Sequence, residues 1–235
     1  MKFFTRGLYA LILTIFFQTT LIAEYLYKDE VIHNPSFNEE VEKLGKELYD
    51  KTGISLRLIM LRELPHNLSI AEYERELLKE FNSPTILLTF SEMNAKVDIM
   101  ANDISLYEYF NKKQVLSPVA SSVQAYIMAM VYAKSWKDFN EMTENSGGTI
   151  LPLLAGKAKK GQTLGKYSGS MFNGYLDIAE QIATSKNVTL VNAAGNSNKN
   201  SILVVKLIFY GIILITIFMY IKRKLFLRRQ KIEQE

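Results

Sequence analysis

The feature that most constrains this chain is an almost entirely apolar run, Ile202–Ile221, near its C-terminus. The run reads ILVVKLIFYGIILITIFMYI and contains a single charged residue, Lys206, in its first turns. At about 1.5 Å per residue, a helix of this length extends about 30 Å, which matches the hydrocarbon thickness of a bilayer. The run therefore predicts one transmembrane helix; the alternative is a helix buried in a water-soluble core.

Charged residues on either side of this run predict its orientation. The tail, 222–235, contains six lysines and arginines and two glutamates, and basic flanks favour the cytoplasmic side. Residues 1–23 have the order of a secretory signal peptide: Lys2 and Arg6, an apolar stretch, then Ala23 before the cut. An uncleaved signal anchor is the alternative. Both alternatives place residues 24–201 in the periplasm or an equivalent extracytoplasmic space and the C-terminus in the cytoplasm. With a cleaved signal peptide, this predicts a single-pass protein of the inner (cytoplasmic) membrane.

Charge and cysteine content exclude several classes of protein. Of the net charge of +4, the leader, Lys206 and the tail supply +7, so residues 24–201 carry −3. The basic isoelectric point therefore belongs to the membrane flanks and does not indicate a nucleic-acid partner. The chain has no cysteine, which excludes thiol catalysis, zinc–cysteine sites and disulfides, so an exported domain must rely on its apolar core.

The first half of the domain predicts alternating helices and strands. A capping box at Ser36–Glu39 opens a helix over 36–51, and Gly53 suits its C-terminal end. Ile54–Leu61 has the pattern of a buried strand, and a second capping box, Ser69–Glu72, opens a second helix. Two further strand-like runs, Thr85–Phe90 and Lys96–Ala101, have the spacing of a β-hairpin. A strand, a helix and a strand in this order predict a parallel βαβ unit.

The second half is predicted to be helical. A third capping box lies at Ser105–Glu108, and Ser117-Pro118 has the pattern of an N-cap and first helical residue. Trp136 is expected to help close the core, and Ser170–Ser185 to form a late helix. The helix after Pro118 is expected to bury a stripe of apolar side chains: Val119, Val123, Tyr126, Ile127 and Met130.

These elements predict the class α/β: an α/β/α sandwich around a small mixed sheet with a β-hairpin, plus one C-terminal transmembrane helix. Residues 24–185 form the predicted domain, 186–201 a linker rich in Asn, Ser and Gly, 202–221 the span and 222–235 the basic cytoplasmic tail.

Motifs for catalysis and cofactors are missing from the sequence. The two histidines, His33 and His66, lie in predicted loops and have no H-x-x-x-H spacing, and no G-x-S-x-G motif is present. The glycine- and lysine-rich stretch 156–166 departs from the phosphate-binding spacing G-x-x-x-x-G-K-[ST]. No catalytic, cofactor-binding or metal-ligating residue is assigned on this basis, and an enzyme is less favoured than a binding module.

Asn102 and Asp103, directly after the third predicted strand, are the candidate cleft residues, because ligands of open α/β sheets collect beyond the carboxyl ends of strands. Glu63, after the first predicted strand, joins them if the two strands run parallel. Their oxygen ligands suit calcium or another divalent cation. The alternative is that Asp103 only caps the helix that begins near Ser105.

The order of these parts resembles the TPM domain family, named after a thylakoid lumen protein, a photosystem II-associated protein and a nematode receptor modulator. The resemblance covers about residues 30–185 and is most specific at Thr52-Gly53-Ile54, the Ser69-x-x-Glu72-Tyr73 helix and the hairpin. It implies a compact extracytoplasmic α/β sandwich, often tethered by one helix, with roles in photosystem repair, receptor assembly or acid phosphatase activity. The family's acidic opening before the first helix is here Val31–Pro35, and its glycine-bearing segment after the hairpin is Ala101–Ile104.

The leading hypothesis is a membrane-anchored periplasmic module for protein interaction or for assembly of a membrane complex, with a protein partner outside the cytoplasm. The alternatives are a metal-dependent phosphatase-like hydrolase built around Asp103 and a solute-binding domain.

Overall fold

The computed structural model describes residues 24–65, 68–193, 207–208 and 210–224. The predicted signal peptide, His66, part of the predicted linker and most of the basic tail lie outside the described residues. The described residues between 24 and 193 form four strands, one 3-10 helix and seven α-helices. In chain order these are β1 Leu26–Asp29, α1 Pro35–Thr52, β2 Ser55–Leu61, α2 Ile70–Leu78, β3 Thr85–Ser91, β4 Lys96–Ala101, the 3-10 helix Ile104–Glu108, α3 Lys112–Val115, α4 Ser122–Tyr132, α5 Trp136–Glu144, α6 Leu151–Ala155 and α7 Thr163–Ser185.

The strands form one mixed sheet in the order β1-β2-β3-β4. The pairs β1–β2 and β2–β3 are parallel, whereas β3–β4 is antiparallel, with Ile86 opposite Ala101 and Ser91 opposite Lys96. The predicted hairpin and the predicted parallel βαβ unit are both confirmed. The chain therefore has the α/β class expected from its sequence.

One face of the sheet is covered by α1 and α7. Phe90 of β3 packs against Tyr167 of α7, with ring centroids 5.1 Å apart. The phenol of Tyr175, which is fully buried, donates a hydrogen bond of 2.8 Å to the carbonyl of Leu56 in β2. This bond satisfies a buried hydroxyl and fixes α7 against the sheet.

The opposite face is covered by α2. Ile59 and Leu87, on neighbouring strands, pack in one buried cluster with Leu78 of α2. Because successive side chains of a strand point to opposite faces, Leu87 faces α2 while Phe90 faces α7. Helices on both faces of the sheet give the three layers of the predicted sandwich.

Strand β1 is a feature that the sequence analysis did not predict, since Glu24–Asn34 had no strand pattern of useful length. The strand has only four residues, and its register shifts between Leu26 and Lys28. It is positioned by a tertiary contact: the carboxylate of Glu42 in α1 accepts hydrogen bonds from the amides of Tyr25 and Leu26.

Helix ends test the predicted capping boxes. The box at Ser69–Glu72 is confirmed, because the serine oxygen accepts from the Glu72 amide and the glutamate accepts from the Ser69 amide. The box at Ser36 is wrong: Asn34 is the N-cap of α1, and its side chain accepts from the Ser36 amide. Proline has no N–H and a helical φ, so Pro35 occupies the first helical position and moves the cap one residue before it.

The chain divides into two compact units. The first comprises the chain up to Lys112 together with Leu153–Ala193, and it contains the whole sheet; the second comprises Lys113–Pro152 with the C-terminal part. In the first unit, Glu47 of α1 accepts hydrogen bonds from the amides of Val191 and Asn192. These bonds hold the chain in place beyond the end of the predicted domain at residue 185.

In the second unit, the predicted N-cap at Ser117 is wrong. Its hydroxyl accepts from the Val119 amide, and the Val119 carbonyl accepts from the amides of Gly147 and Gly148, so this segment is held in a loop. Helix α4 begins instead after Ser121, whose side chain accepts from the Gln124 amide.

The buried stripe predicted for this helix is also wrong. Ala125 and Ala129 are the buried residues of α4, whereas Ile127 and Met130 are 54% and 59% exposed. Trp136 does not close a core; it is 76% exposed and stacks on Phe139 with ring centroids 5.2 Å apart.

The predicted transmembrane run is described only in part, since residues 202–206 and 209 lie outside the described residues. Residues 207–208 and 210–224 are helical. Within the part of the chain that the structure describes, no helix has both the length and the hydropathy that a membrane crossing requires.

Candidate functional site

The structure separates the three predicted cleft residues. Glu63 follows β2, whereas Asn102 and Asp103 follow β4, and β4 runs antiparallel to β3 and so to β2. A sheet of seven-residue strands is about 20 Å long. Glu63 therefore lies beyond one end of the strands, and Asn102 and Asp103 lie beyond the other end. The three side chains are too far apart to bind the same cation.

Asn102 and Asp103 both stabilise local structure. The Asn102 side chain accepts from the Thr85 amide at 2.9 Å and donates to the carbonyls of Ser83 and Phe81, so it connects the end of β4 to the start of β3. Asp103 caps the 3-10 helix, and the hydrogen bond from the Ser105 amide lowers the pKa of its carboxyl group. The capping interpretation of Asp103 is thus confirmed. Glu63 is exposed.

A cleft of about 380 Å³ lies instead between the end of β1 and the start of α1. This is the carboxyl edge of the parallel strands, where ligands of α/β proteins bind, and its volume falls in the range of small-molecule sites. We call it the β1–α1 cleft. Its lining residues come from β1, the following loop and the first turn of α1: Leu26, Tyr27, Lys28, Asp29, His33, Asn34, Pro35 and Asn38.

The loop beside the cleft is held by one carboxylate. Asp29 accepts hydrogen bonds from the amides of Val31, Ile32 and His33 at 2.7–3.0 Å. His33 has a φ of 51°, which is unusual for a residue with a side chain. The three bonds to Asp29 offset the strain of this conformation and keep the imidazole at the rim of the cleft.

Ion pairs and hydrogen bonds occupy most charged groups near the cleft. The ammonium of Lys28 lies 2.8 Å from the carboxylate of Glu30. This ion pair is the largest cause of the raised pKa of Lys28 and of the lowered pKa of Glu30. Glu30 also accepts from the Arg62 amide. By contrast, the amide oxygen of Asn38 is buried and has no hydrogen-bond partner among the described residues.

These groups suit binding of a small polar ligand better than catalysis. The His33 imidazole and the Asn38 amide offer hydrogen bonds, and Tyr27 and Leu26 offer apolar contact. Across the described ranges, no three histidine, aspartate or glutamate side chains are arranged to hold a metal ion. The sequence did not predict the cleft, because the cleft depends on strand β1, which was not predicted. The start of α1 at Asn34-Pro35 was its only local signal.

A second unusual group is the carboxyl of Glu74 in α2, which is fully buried over the sheet. Within the described part of the chain, neither of its oxygens has a partner at hydrogen-bonding geometry. Burial raises the pKa of Glu74 to about 8, with a contribution in the same direction from Asp98, while Thr89 and Lys112 act to lower it. Asp98 is itself paired with Lys112 at 2.6 Å. Glu74 is inaccessible to a substrate, so we interpret it as a structural acid.

Comparison with known proteins gives similarity to solved structures but no family. No protein-family model and no curated protein matches the chain. The chain is similar to the solution NMR structure of the N-terminal domain of a protein from P. gingivalis, with 11% sequence identity and a TM-score of 0.43. The alignment covers 72% of this chain and 88% of that one.

Proposed function

We propose that this protein is a single-pass, membrane-anchored extracytoplasmic module that binds another protein during assembly of a membrane complex. The observation that carries the proposal is the surface of the C-terminal helix. From Leu207 to Ile221, the large apolar side chains that the structure describes are 40–68% exposed, on every side of the helix. A helix that is apolar all round and largely uncovered requires an apolar medium.

The sequence around this helix supports the same proposal. The apolar run extends back to Ile202, and Lys222-Arg223-Lys224 follow it directly, which favours a cytoplasmic tail. The resemblance to the TPM domain family supports an extracytoplasmic α/β domain with an interaction role. The β1–α1 cleft, with its unsatisfied Asn38 oxygen, is the surface on the sheet-bearing unit that best suits contact with a polar group of a partner.

The hydrolase alternative has less support. Its candidate residues lie at opposite edges of the sheet, and Asn102 and Asp103 are engaged with backbone amides.

The anchor and its orientation are tested by cysteine labelling, for which the cysteine-free chain is suited. Ser36→Cys, at an exposed position, is expected to react with a membrane-impermeant maleimide in intact cells. Gln230→Cys in the tail is the matched control and is expected to react only after permeabilisation. Both variants should remain in the membrane after an alkaline wash. Release of the protein by the wash would exclude the anchor, and labelling of Gln230→Cys in intact cells would reverse the orientation.

The interaction role is tested in the same membranes with a photo-crosslinking amino acid at His33, on the rim of the β1–α1 cleft. The control is the same amino acid at the exposed Glu108. We expect one defined protein adduct from position 33 and none from position 108. If neither position gives an adduct, the interaction role of the cleft is wrong, whatever the labelling experiment shows.

A further inference from the structure

Helix α4 presents an apolar surface that its own unit does not cover. Beyond Ile127 and Met130, the side chains of Val131, Tyr132 and Trp136 are 67–76% exposed. Among the side chains of this helix that the structure describes, only the small residues Ala125 and Ala129 are buried. We call Ile127, Met130, Val131, Tyr132 and Trp136 the α4 patch; Met128 is also exposed, at 36%. A contiguous exposed apolar surface of this kind marks contact with another molecule or with a membrane.

The surrounding sequence carries no charge to keep this helix in water. From Gln114 to Ala133 there is no charged residue, and the first charges after α4 are Lys134 and Lys137. Eleven helical residues extend about 16 Å, which is too short to cross a bilayer but suits a helix that lies in one leaflet.

The patch belongs to the same compact unit as the C-terminal helix. Burial raises the pKa of Tyr126 in α4, and the adjacent phenol of Tyr210 adds to this rise, so the two hydroxyl groups are neighbours. Tyr210 is the ninth residue of the apolar run that begins at Ile202. Tyr210 belongs to the C-terminal helix, and Tyr126 belongs to α4. The medium that covers the C-terminal helix therefore also borders α4.

The aromatic residues at the end of the patch fit the border of a membrane. Trp136 stacks on Phe139 and is otherwise exposed, and Tyr132, four residues earlier at the end of α4, is exposed as well. Tryptophan and tyrosine are enriched where lipid chains meet the headgroups. The remaining charges of α5, among them Asp138 and Glu141, then lie on the aqueous side.

We infer that the α4 patch is seated in the outer leaflet of the lipid bilayer, beside the C-terminal helix, as a second membrane contact of this chain. Lipid is favoured over a second copy of the chain because α4 contacts the anchor through Tyr126 and Tyr210, so the lipid that covers the anchor also borders α4. The inference rests on the anchor proposed above. It adds that the second unit lies against the membrane and does not extend freely from it.

Trp136 is the only tryptophan of the chain and reports directly on this surface. The full-length protein is reconstituted into phosphatidylcholine–phosphatidylglycerol vesicles, and its flotation with the vesicles is measured first. Lipids brominated near the glycerol end of the acyl chain are then introduced. We expect the Trp136 emission to fall by about twofold, because an aromatic side chain at the interface lies within reach of the bromines.

Two variants separate insertion from simple proximity. Ile127→Lys combined with Met130→Lys is expected to abolish most of the quenching while flotation is retained. Ile104→Lys, at an 86% exposed isoleucine of the first unit, is the matched control and should leave the quenching unchanged. Circular dichroism of each variant checks that its helix content is that of the wild type.

The wild-type result alone decides the inference if the double variant fails to fold. Unquenched Trp136 that is accessible to aqueous iodide in floating vesicles would overturn the inference and leave the anchor intact. Unquenched Trp136 that iodide cannot reach would mean that protein covers the patch, and this also overturns it. Failure of the full-length protein to float would overturn the anchor, and the inference with it.

Discussion

Replacement of Glu74 by glutamine is expected to change how the stability of the first unit depends on pH. The folded state binds a proton on the buried Glu74 carboxyl up to a pKa of about 8, whereas the same group in the unfolded chain titrates near its ordinary value of 4.5. Its contribution to stability is therefore fully present below pH 4.5 and is lost as the pH rises through 8. Glutamine does not titrate and removes this dependence.

The magnitude follows from the two pKa values. The shift corresponds to about 5 kcal/mol when the pH is well above 8. Between pH 5 and pH 8 the wild type should lose about 3 to 4 kcal/mol relative to Glu74→Gln. This is about a third of the 5–15 kcal/mol that typically stabilises a domain, so an equilibrium measurement can detect it.

The assay is urea unfolding of the full-length protein in a mild non-ionic detergent, followed by circular dichroism at several pH values between 5 and 8.5. Glu76→Gln is the matched control, because Glu76 lies on the same helix but is exposed and paired with Lys79. Carbon-13 NMR of labelled glutamate carboxyls measures the Glu74 pKa directly. Equal pH dependence of the wild type and Glu74→Gln, or a Glu74 pKa near 4.5, would refute the reasoning.

Three further substitutions, two of them with a matched control, test the packing described above by the same unfolding assay. Gly45→Ala is expected to lower the free energy of unfolding by about 1–3 kcal/mol, because the added Cβ meets the side chains of Tyr25 and Tyr175. Gly169→Ala in α7 is the control and should be neutral or stabilising, because its Cβ meets nothing within 4 Å. Equal effects of the two substitutions would contradict the close approach of the tyrosines to Gly45. Ser69→Ala should lower the free energy of unfolding by about 1 kcal/mol, because it removes the capping box. Ser36→Ala should have little effect, since Ser36 is not an N-cap. A larger loss of stability from Ser36→Ala than from Ser69→Ala would support the N-cap that the sequence predicted at Ser36. Asn102→Ala should cost about 1–2 kcal/mol through loss of the bonds to Thr85 and Ser83, and an unchanged unfolding midpoint would show that these bonds contribute nothing.

Local sequence patterns predicted the elements that depend on local physics. Ser69 and Glu72 satisfy each other's backbone amides within one turn, so this helix start follows from four residues alone. The hairpin and the buried strand β2 follow from apolar runs of strand length bounded by polar turns. By contrast, strand β1 has four residues and a shifted register, and its position depends on Glu42, a residue in the next helix.

The candidate site was missed for the same reason. The grouping of Glu63 with Asn102 and Asp103 conflicts with the predicted hairpin, because a hairpin reverses the chain and makes β4 end at the opposite end of the sheet from β2. The β1–α1 cleft exists only because β1 pairs with β2 and brings Asp29 and His33 beside α1. No local motif encodes that pairing.

The sequence by itself therefore determined the α/β class, the parallel βαβ unit, the hairpin and the confirmed helix cap, because periodicity and capping act over a few neighbouring residues. It also predicts the apolar anchor. Three features were decided only by the tertiary structure. Asn102 and Asp103 accept hydrogen bonds from backbone amides, the carboxyl group of Glu74 is buried with a raised pKa, and the apolar side chains of α4 face outward. Burial depends on which elements pack together, and an apolar side chain carries the same pattern whether protein or lipid covers it.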